Sequence, residues 1–236
     1  MQYAPSGSPY DLNFQVGPFP TRVAWTFWLG AVLLGWSALQ FEGAGRPQPI
    51  YLLLWIIILF VSILVHELGH AVAARVFGYP AHILLYHFGG LAYYQPHRHT
   101  SGREVVIALA GPAAGLALYG LTWVVTVYGL PLLPPPAAER TGLVAEFVVR
   151  QMVWVNLYWS LVNLLPVLPL DGGRVSQVVC NELNRRDGQV WALRIGVVVG
   201  GAAAFYFFSE VGQYAGFLFL FLALQNYFAL QGRSMF

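Results

Sequence analysis

The chain has 236 residues, of which 58% are hydrophobic, 16% are aromatic and 9% are charged. An ordinary soluble domain carries about 25% charged residues, so this composition excludes a soluble globular protein. Twelve basic and ten acidic residues give a formal net charge of +2, which is too small for the basic face that a nucleic-acid-binding protein needs. A single cysteine, Cys180, cannot form an intramolecular disulfide, which excludes a disulfide-stapled secreted scaffold.

The N-terminal segment, residues 1–22, is rich in Pro, Gly and Ser. It lacks the basic stretch followed by an apolar core that marks a cleavable signal peptide. We therefore expect a cytoplasmic N-terminal segment, with the first apolar segment itself directing the chain to the membrane.

Six apolar segments follow, each close to the roughly 20 residues that a helix needs to cross a bilayer. Helices satisfy their own backbone hydrogen bonds in lipid, so the pattern predicts an all-α integral membrane protein with about six transmembrane helices. The segments are Val23–Gln40, Ile50–Phe77, Val105–Leu130, Leu143–Pro166, Val190–Phe208 and Gly212–Leu230.

The connections between these segments are too short to form a globular domain, so we expect one polytopic membrane domain over residues 23–236. Orientation follows from the arginines, since cytoplasmic loops collect positive charge. With the N-terminus inside, seven arginines fall on the inner side and two, Arg46 and Arg140, on the outer side. The other three, Arg75, Arg150 and Arg194, lie within or near span ends and are not counted. Both termini are therefore predicted to be cytoplasmic.

The motif that indicates chemistry is His66-Glu67-Leu68-Gly69-His70, near the end of the second apolar segment. Residues four apart lie about 40° apart around a helix, so both imidazoles can bind one metal ion, and Glu67 can act as a general base. Chance matches to this pattern occur, but ionisable residues in an apolar span are costly unless they are paired or ligated. The motif predicts one catalytic zinc ion per chain.

Asp171 is the best candidate for a third ligand. It follows the fourth segment in Asn163-Leu-Leu-Pro-Val-Leu-Pro-Leu-Asp171-Gly-Gly173, where two prolines and two glycines break the helix and can turn the carboxylate back. Its position also suits a helix N-cap. Taken alone, the residue favours the cap; beside the histidine motif, the ligand interpretation is preferred.

Together these motifs resemble the site-2 protease family of intramembrane zinc metalloproteases. The resemblance extends to Ala110-Gly-Pro-Ala-Ala-Gly115 and to the pair Gly89-Gly90. It implies a catalytic core over about residues 50–175, with His66, His70 and Asp171 as zinc ligands and Glu67 as the base. The implied activity is hydrolysis of peptide bonds within or near transmembrane segments, in regulated intramembrane proteolysis.

The resemblance also implies a role for Asn163, which matches a family asparagine. Asn156 lies seven residues earlier, about two helical turns. Either side-chain amide could hold the substrate backbone or polarise the scissile carbonyl. For Asn156, a hydrogen bond between helices is an equally good interpretation.

The segment Ile83–Tyr94 contains two β-prone runs separated by Gly89-Gly90, which is a hairpin signal. The resemblance implies a short re-entrant hairpin beside the active site. A free strand edge there could hold an unwound substrate by β-addition, which assigns substrate pairing to Gly89 and Gly90. An interfacial aromatic loop is the alternative.

Pro131–Gly142 is too short for the PDZ insertion found in many family members. We therefore expect a minimal form, without a PDZ domain or a C-terminal regulatory domain. Its expected partners are a transmembrane substrate, a regulatory membrane protein and the lipid bilayer. Two other functions stay open: a metal-ion transporter and a membrane protein that binds substrates without cutting them.

Overall fold

The computed structural model describes residues 7–41, 48–87, 89–95, 100–129, 139–210 and 213–232. A 3-10 helix at Trp36–Gln40 follows the first α-helix, and a π-helical turn at Val125–Gly129 continues the third. In chain order the elements are β1 (Leu12–Val16), β2 (Phe19–Val23), α1 (Trp25–Leu34), α2 (Pro49–Val76), β3 (Ala81–Tyr86), β4 (Gly89–Tyr94), α3 (Ser101–Val124), α4 (Glu139–Asn163), α5 (Asp171–Leu183), α6 (Gly188–Glu210) and α7 (Gln213–Leu230).

Each of the six predicted apolar segments contains a helix. Within the residues that the structure describes, three helices are long and apolar enough to cross a membrane: Pro49–Val76, Ser101–Gly129 and Gly188–Glu210. Trp25–Leu34 and Ala215–Leu230 are shorter apolar helices. The structure thus has the helical character predicted for a membrane protein, while the count of six spans stays a prediction.

The fold is not all-α, because four strands form one sheet in the order β1-β2-β3-β4. The N-terminal segment, for which the sequence predicted no strands, supplies β1 and β2 as an antiparallel hairpin. Strand β2 pairs in parallel with β3 from Thr21 to Val23. Pro20 lies just before this pairing begins, so its missing N–H costs the sheet no hydrogen bond to β3.

The predicted hairpin is present as β3 and β4, but Gly89-Gly90 is not its turn. Gly89 pairs with Tyr86 and Gly90 with Leu85, so both glycines belong to the start of β4, and His87 lies in a turn after β3. Because β3 is paired on both sides, it has no free edge. Among the described strands, β4 is the outer strand on the hairpin side of the sheet.

The chain divides into two compact units. The first comprises residues 1–97 and 113–160. In it, α2 packs against β3, β4 and α1, and its buried side chains include Leu59 and Ile63. These contacts hold the second half of α2, which carries the histidine motif, against the sheet.

The second unit comprises residues 98–112 and 161–236. Helices α6 and α7 pack closely against each other, since a Cβ at Gly200 would lie 3.2 Å from Ala223 Cβ. Val167, from the loop between α4 and α5, is fully buried in a cluster with Ala204, Phe219 and Leu222. This cluster anchors the loop that leads to Asp171.

Candidate metal centre

Helix α2 brings His66, Glu67 and His70 together. The Nε2 atoms of His66 and His70 are 3.2 Å apart, as expected for side chains one helical turn apart on one face. The three residues are 2%, 5% and 4% exposed, and their ligand atoms all lie within 4.8 Å of one another. The predicted motif therefore forms a buried cluster of three ionisable side chains.

This cluster fits zinc. Two nitrogen ligands placed tetrahedrally around zinc, each about 2.0–2.1 Å from it, are separated by about 3.3–3.4 Å. The observed distance of 3.2 Å between the two Nε2 atoms matches that spacing closely. Imidazole and carboxylate are also the donor types that zinc accepts in catalytic sites. The residues present could hold the ion without rearrangement of α2.

Strand β4 lies directly against the Glu67 side chain. A Cβ built at Gly90 would overlap Glu67 Cγ and lie 2.5 Å from both Cδ and Oε1. Only glycine permits this approach, which explains why Gly90 occurs inside a strand rather than in a turn. The backbone of the edge strand and the predicted general base are therefore in contact.

Asn156 of α4 is 1% exposed and lies next to α2. Its Nδ2 donates to Ser62 Oγ at 3.0 Å and to the Met152 carbonyl at 2.8 Å. Ser62 precedes His66 by one helical turn on the same face. An amide has two N–H donors, and both are used here, so the interhelical hydrogen bond is present and the predicted contact of Asn156 with substrate stays a prediction.

Asp171 and Asn163 belong to the second unit. Asn163 is the last residue of α4, and Asp171 is the first residue of α5 and 6% exposed. Leu170 occupies the N-cap position of α5, so Asp171 lies in the first turn of this helix and not at its cap. Asp171 is a buried carboxylate at the end of a loop rich in proline.

Two polar residues with structural roles near these sites were not predicted from the sequence. Ser62 receives the Asn156 hydrogen bond, and Asn226 of α7 donates to the Leu168 carbonyl at 2.7 Å. Both lie in apolar segments. A polar side chain in an apolar span is by itself a reason to expect a hydrogen-bond partner. The sequence signal for Asn226 is therefore its position as an amide within the last apolar segment.

Comparison with known proteins shows which family the chain resembles. The model of peptidase family M50 matches residues 54–141 and 136–207. A Synechocystis sp. protein that carries a zinc metalloprotease name is 34% identical over 204 residues, covering 84% of this chain and 50% of the relative. The Mycobacterium tuberculosis protein Rip3, similarly named, is 33% identical over 194 residues, covering 79% and 47%.

A solved structure has the same fold. The site-2 protease from Methanocaldococcus jannaschii superposes with a TM-score of 0.63 at 22% sequence identity, covering 94% of this chain and 95% of that one. The chain spans about half the length of the curated relatives it matches. The family match covers both the histidine motif on α2 and Asp171, and it confirms the resemblance read from those residues. The chain belongs to peptidase family M50, the family of the site-2 proteases.

Proposed function

We propose that the chain is a zinc metalloprotease that hydrolyses peptide bonds within or near the transmembrane segments of other membrane proteins. The observation that carries the proposal is the buried pair of imidazoles on α2, 3.2 Å apart, with Glu67 beside them. Such a group in an apolar helix is costly unless it serves a metal. Membership of family M50 supports metalloprotease chemistry.

We propose His66, His70 and Asp171 as the zinc ligands, with one zinc ion per chain. Asp171 is supported by its burial and by its carboxylate chemistry, since two histidines and one carboxylate are a common ligand set of catalytic zinc. When bound, zinc supplies a water of lowered pKa and polarises the carbonyl of the peptide bond. Three protein ligands leave one position for that chemistry.

Glu67 is proposed as the general base. Its carboxylate is 5% exposed and lies within reach of both imidazoles. There it accepts the proton of the attacking water and delivers it to the leaving amine, which is the usual role of a positioned carboxylate. The proposed role of Asn163, at the end of α4, is to donate its amide hydrogen to the carbonyl of the substrate.

Strand β4 is proposed to hold the substrate. A peptide in a helix hides its backbone groups in hydrogen bonds, so the segment must unwind before hydrolysis, and an edge strand can pair with the extended form. β4 is an outer strand of the sheet, and its residue Gly90 touches Glu67. Pairing at Gly89 and Gly90 would bring the substrate backbone next to the base.

The proposed setting is a lipid bilayer crossed by six helices, with both termini cytoplasmic. Three helices meet the length and apolarity of a span, and the arginine distribution supports the orientation. Regulated intramembrane proteolysis is the proposed process, with a transmembrane substrate and a regulatory membrane protein as partners. The β3–β4 hairpin is proposed to dip into the membrane beside the active site.

The test is cleavage of a co-expressed membrane-protein substrate by the full chain and by Glu67→Gln, with zinc measured on both purified proteins. The parent should cleave and carry zinc, while Glu67→Gln should carry zinc and not cleave. A parent that binds zinc but cleaves no membrane substrate would favour a non-cleaving substrate binder. Metal-dependent ion flux into vesicles without cleavage would favour a transporter.

A further inference from the structure

Asn226 is a buried amide of α7 that reaches across to another segment of the chain. It is 1% exposed. Its Nδ2 donates to the Leu168 carbonyl at 2.7 Å and to the Leu222 carbonyl of its own helix at 2.8 Å. Both N–H donors of the amide are therefore used, and one of them donates to the loop between α4 and α5.

The loop forms local backbone hydrogen bonds through the N–H groups of Leu165, Val167 and Leu170, and Asn226 adds a bond from another helix at Leu168. Leu168 is followed by Pro169, which has no N–H, and Leu168 lies three residues before Asp171. The Leu168 carbonyl is part-buried and accepts the Asn226 N–H, and a carbonyl removed from water is stabilised by such a partner. This bond fixes one point of the loop to α7.

The first turn of α5 rests directly on the same loop. A Cβ at Gly172 would overlap the Leu164 carbonyl and lie 2.6 Å from Leu165 O. A Cβ at Gly173 would lie 2.5 Å from Leu168 N. Since the loop backbone and the start of α5 touch without intervening side chains, a shift of Leu168 moves Asp171 as well.

Helix α6 provides the space that Asn226 needs. A Cβ at Gly196 would lie 2.5 Å from Asn226 Oδ1, so a larger residue there would displace the amide. One and two helical turns before Asn226 on α7, Leu222 and Phe219 pack with Val167 of the loop. The amide and the apolar cluster thus hold the loop from one side, through α7.

We infer that Asn226 is a positioning residue for Asp171, acting through the Leu168 carbonyl. The inference rests on the proposed function, in which Asp171 is the third zinc ligand. It gives the last helix a role at the metal centre although it contributes no ligand. Groups that orient a metal ligand typically change metal affinity by about 10–100-fold when they are removed.

The test is a double-mutant cycle on zinc affinity, measured by chelator competition on purified full-length protein. The variants are Asn226→Leu, Asp171→Ala and the double variant, with Gln225→Leu as the control from the same helix. Asn226→Leu should weaken zinc binding by about 10–100-fold in the parent. In the Asp171→Ala background it should change affinity by less than about twofold, because the ligand that it positions is gone. Gln225→Leu should bind zinc as the parent does.

Two results would overturn the inference while leaving the ligand assignment intact. One is parental zinc affinity in Asn226→Leu, and the other is an equal loss in both backgrounds, which indicates a general effect on folding. A parental affinity in Asp171→Ala would instead refute the third ligand, and the inference with it. If Asn226→Leu does not fold, Asn226→Ser replaces it, because serine can still bond Leu222 but is too short to reach Leu168.

Discussion

The backbone of Gly90 and the carboxylate of Glu67 are in direct contact, since a Cβ at position 90 would lie 2.5 Å from both Cδ and Oε1. Gly90 is the second residue of β4, an outer strand of the sheet, and the ligand atoms of Glu67, His66 and His70 lie within 4.8 Å of one another. Among the described residues, the outer strand of the sheet therefore passes over the proposed general base. This contact joins the strand proposed to hold the substrate to the proposed base within one unit of the fold.

Gly90→Ala should impair cleavage without removing zinc. The added methyl group would push the Glu67 carboxylate away from its position, and a displacement of about 1 Å at a reacting group can cost about 100-fold in rate. His66 and His70 are untouched, so zinc content should stay near that of the parent. Cleavage rate and bound zinc, measured on the same preparation, check this.

The matched control is Gly120→Ala in α3, where a Cβ meets nothing within 4 Å. It should cleave at the parental rate. Parental cleavage by Gly90→Ala would mean that Glu67 moves aside without consequence, and the contact would then have no role in catalysis.

The zinc content of single variants distinguishes the proposed metal ligands from the proposed base. His66→Ala, His70→Ala and Asp171→Ala should each lose most of the bound zinc, because three ligands leave no redundancy. Glu67→Gln should keep about one zinc per chain and lose about 100- to 10,000-fold in cleavage, the usual contribution of a general base. Metal analysis and cleavage assays on all four variants decide this.

Zinc retained by Asp171→Ala would require a different third ligand. Zinc lost by Glu67→Gln would make Glu67 a ligand rather than a base, an arrangement that its distance from both imidazoles permits.

The histidine cluster could be predicted from the sequence because it depends on helix geometry alone. His66 and His70 are four residues apart, and any α-helix places them on one face. The break before Asp171 was equally local, since proline and glycine interrupt a helix wherever they occur. Features set by neighbours in sequence were therefore visible.

Features set by distant neighbours were not visible. The pairing of Thr21 with Ile83 joins segments far apart in the chain, and the Pro- and Gly-rich N-terminus has little strand propensity of its own. Gly89-Gly90 suggested a turn because glycine permits turns and close approaches equally. The pairing of both glycines with β3 and the contact of Gly90 with Glu67 distinguish the two, and both depend on how the chain packs around β4.

A proline scan can locate the substrate-binding edge. β4 is the outer strand, so proline at alternate positions from Gly90 to Tyr94 should impair cleavage where the lost N–H points away from β3. At the other positions proline breaks the pairing with β3 and should reduce thermal stability. β3 is paired on both sides, so Leu84→Pro should destabilise the fold itself.

Zinc content should stay parental in the variants that lose only the outward N–H. Uniform tolerance of proline along β4, in folded protein loaded with zinc, would exclude strand addition and leave an interfacial loop as the role of this segment.

Reporter fusions test the predicted orientation. With seven arginines inside and two outside, fusions after Gln48 and Glu139 should report as external, and fusions after Thr100 and Asp187 as cytoplasmic. An inverted pattern would reverse the orientation and leave the metal assignment unaffected. If the reporter changes sides of the membrane fewer times along the chain, the chain has fewer than six spans.

Asn156 and Ser62 should behave as a structural pair. Nδ2 of Asn156 donates to Ser62 Oγ at 3.0 Å, and hydrogen bonds between membrane helices contribute about 0.6 kcal/mol on average, with a maximum of about 1.7. A double-mutant cycle of Asn156→Ala and Ser62→Ala, read from unfolding free energies in detergent, should give a coupling in this range. Ser62→Ala should also lower cleavage about as much as Asn156→Ala does, because both loosen α2 one turn before His66. If Asn156→Ala abolished cleavage while Ser62→Ala left it at the parental rate, the amide would act on the substrate rather than between helices.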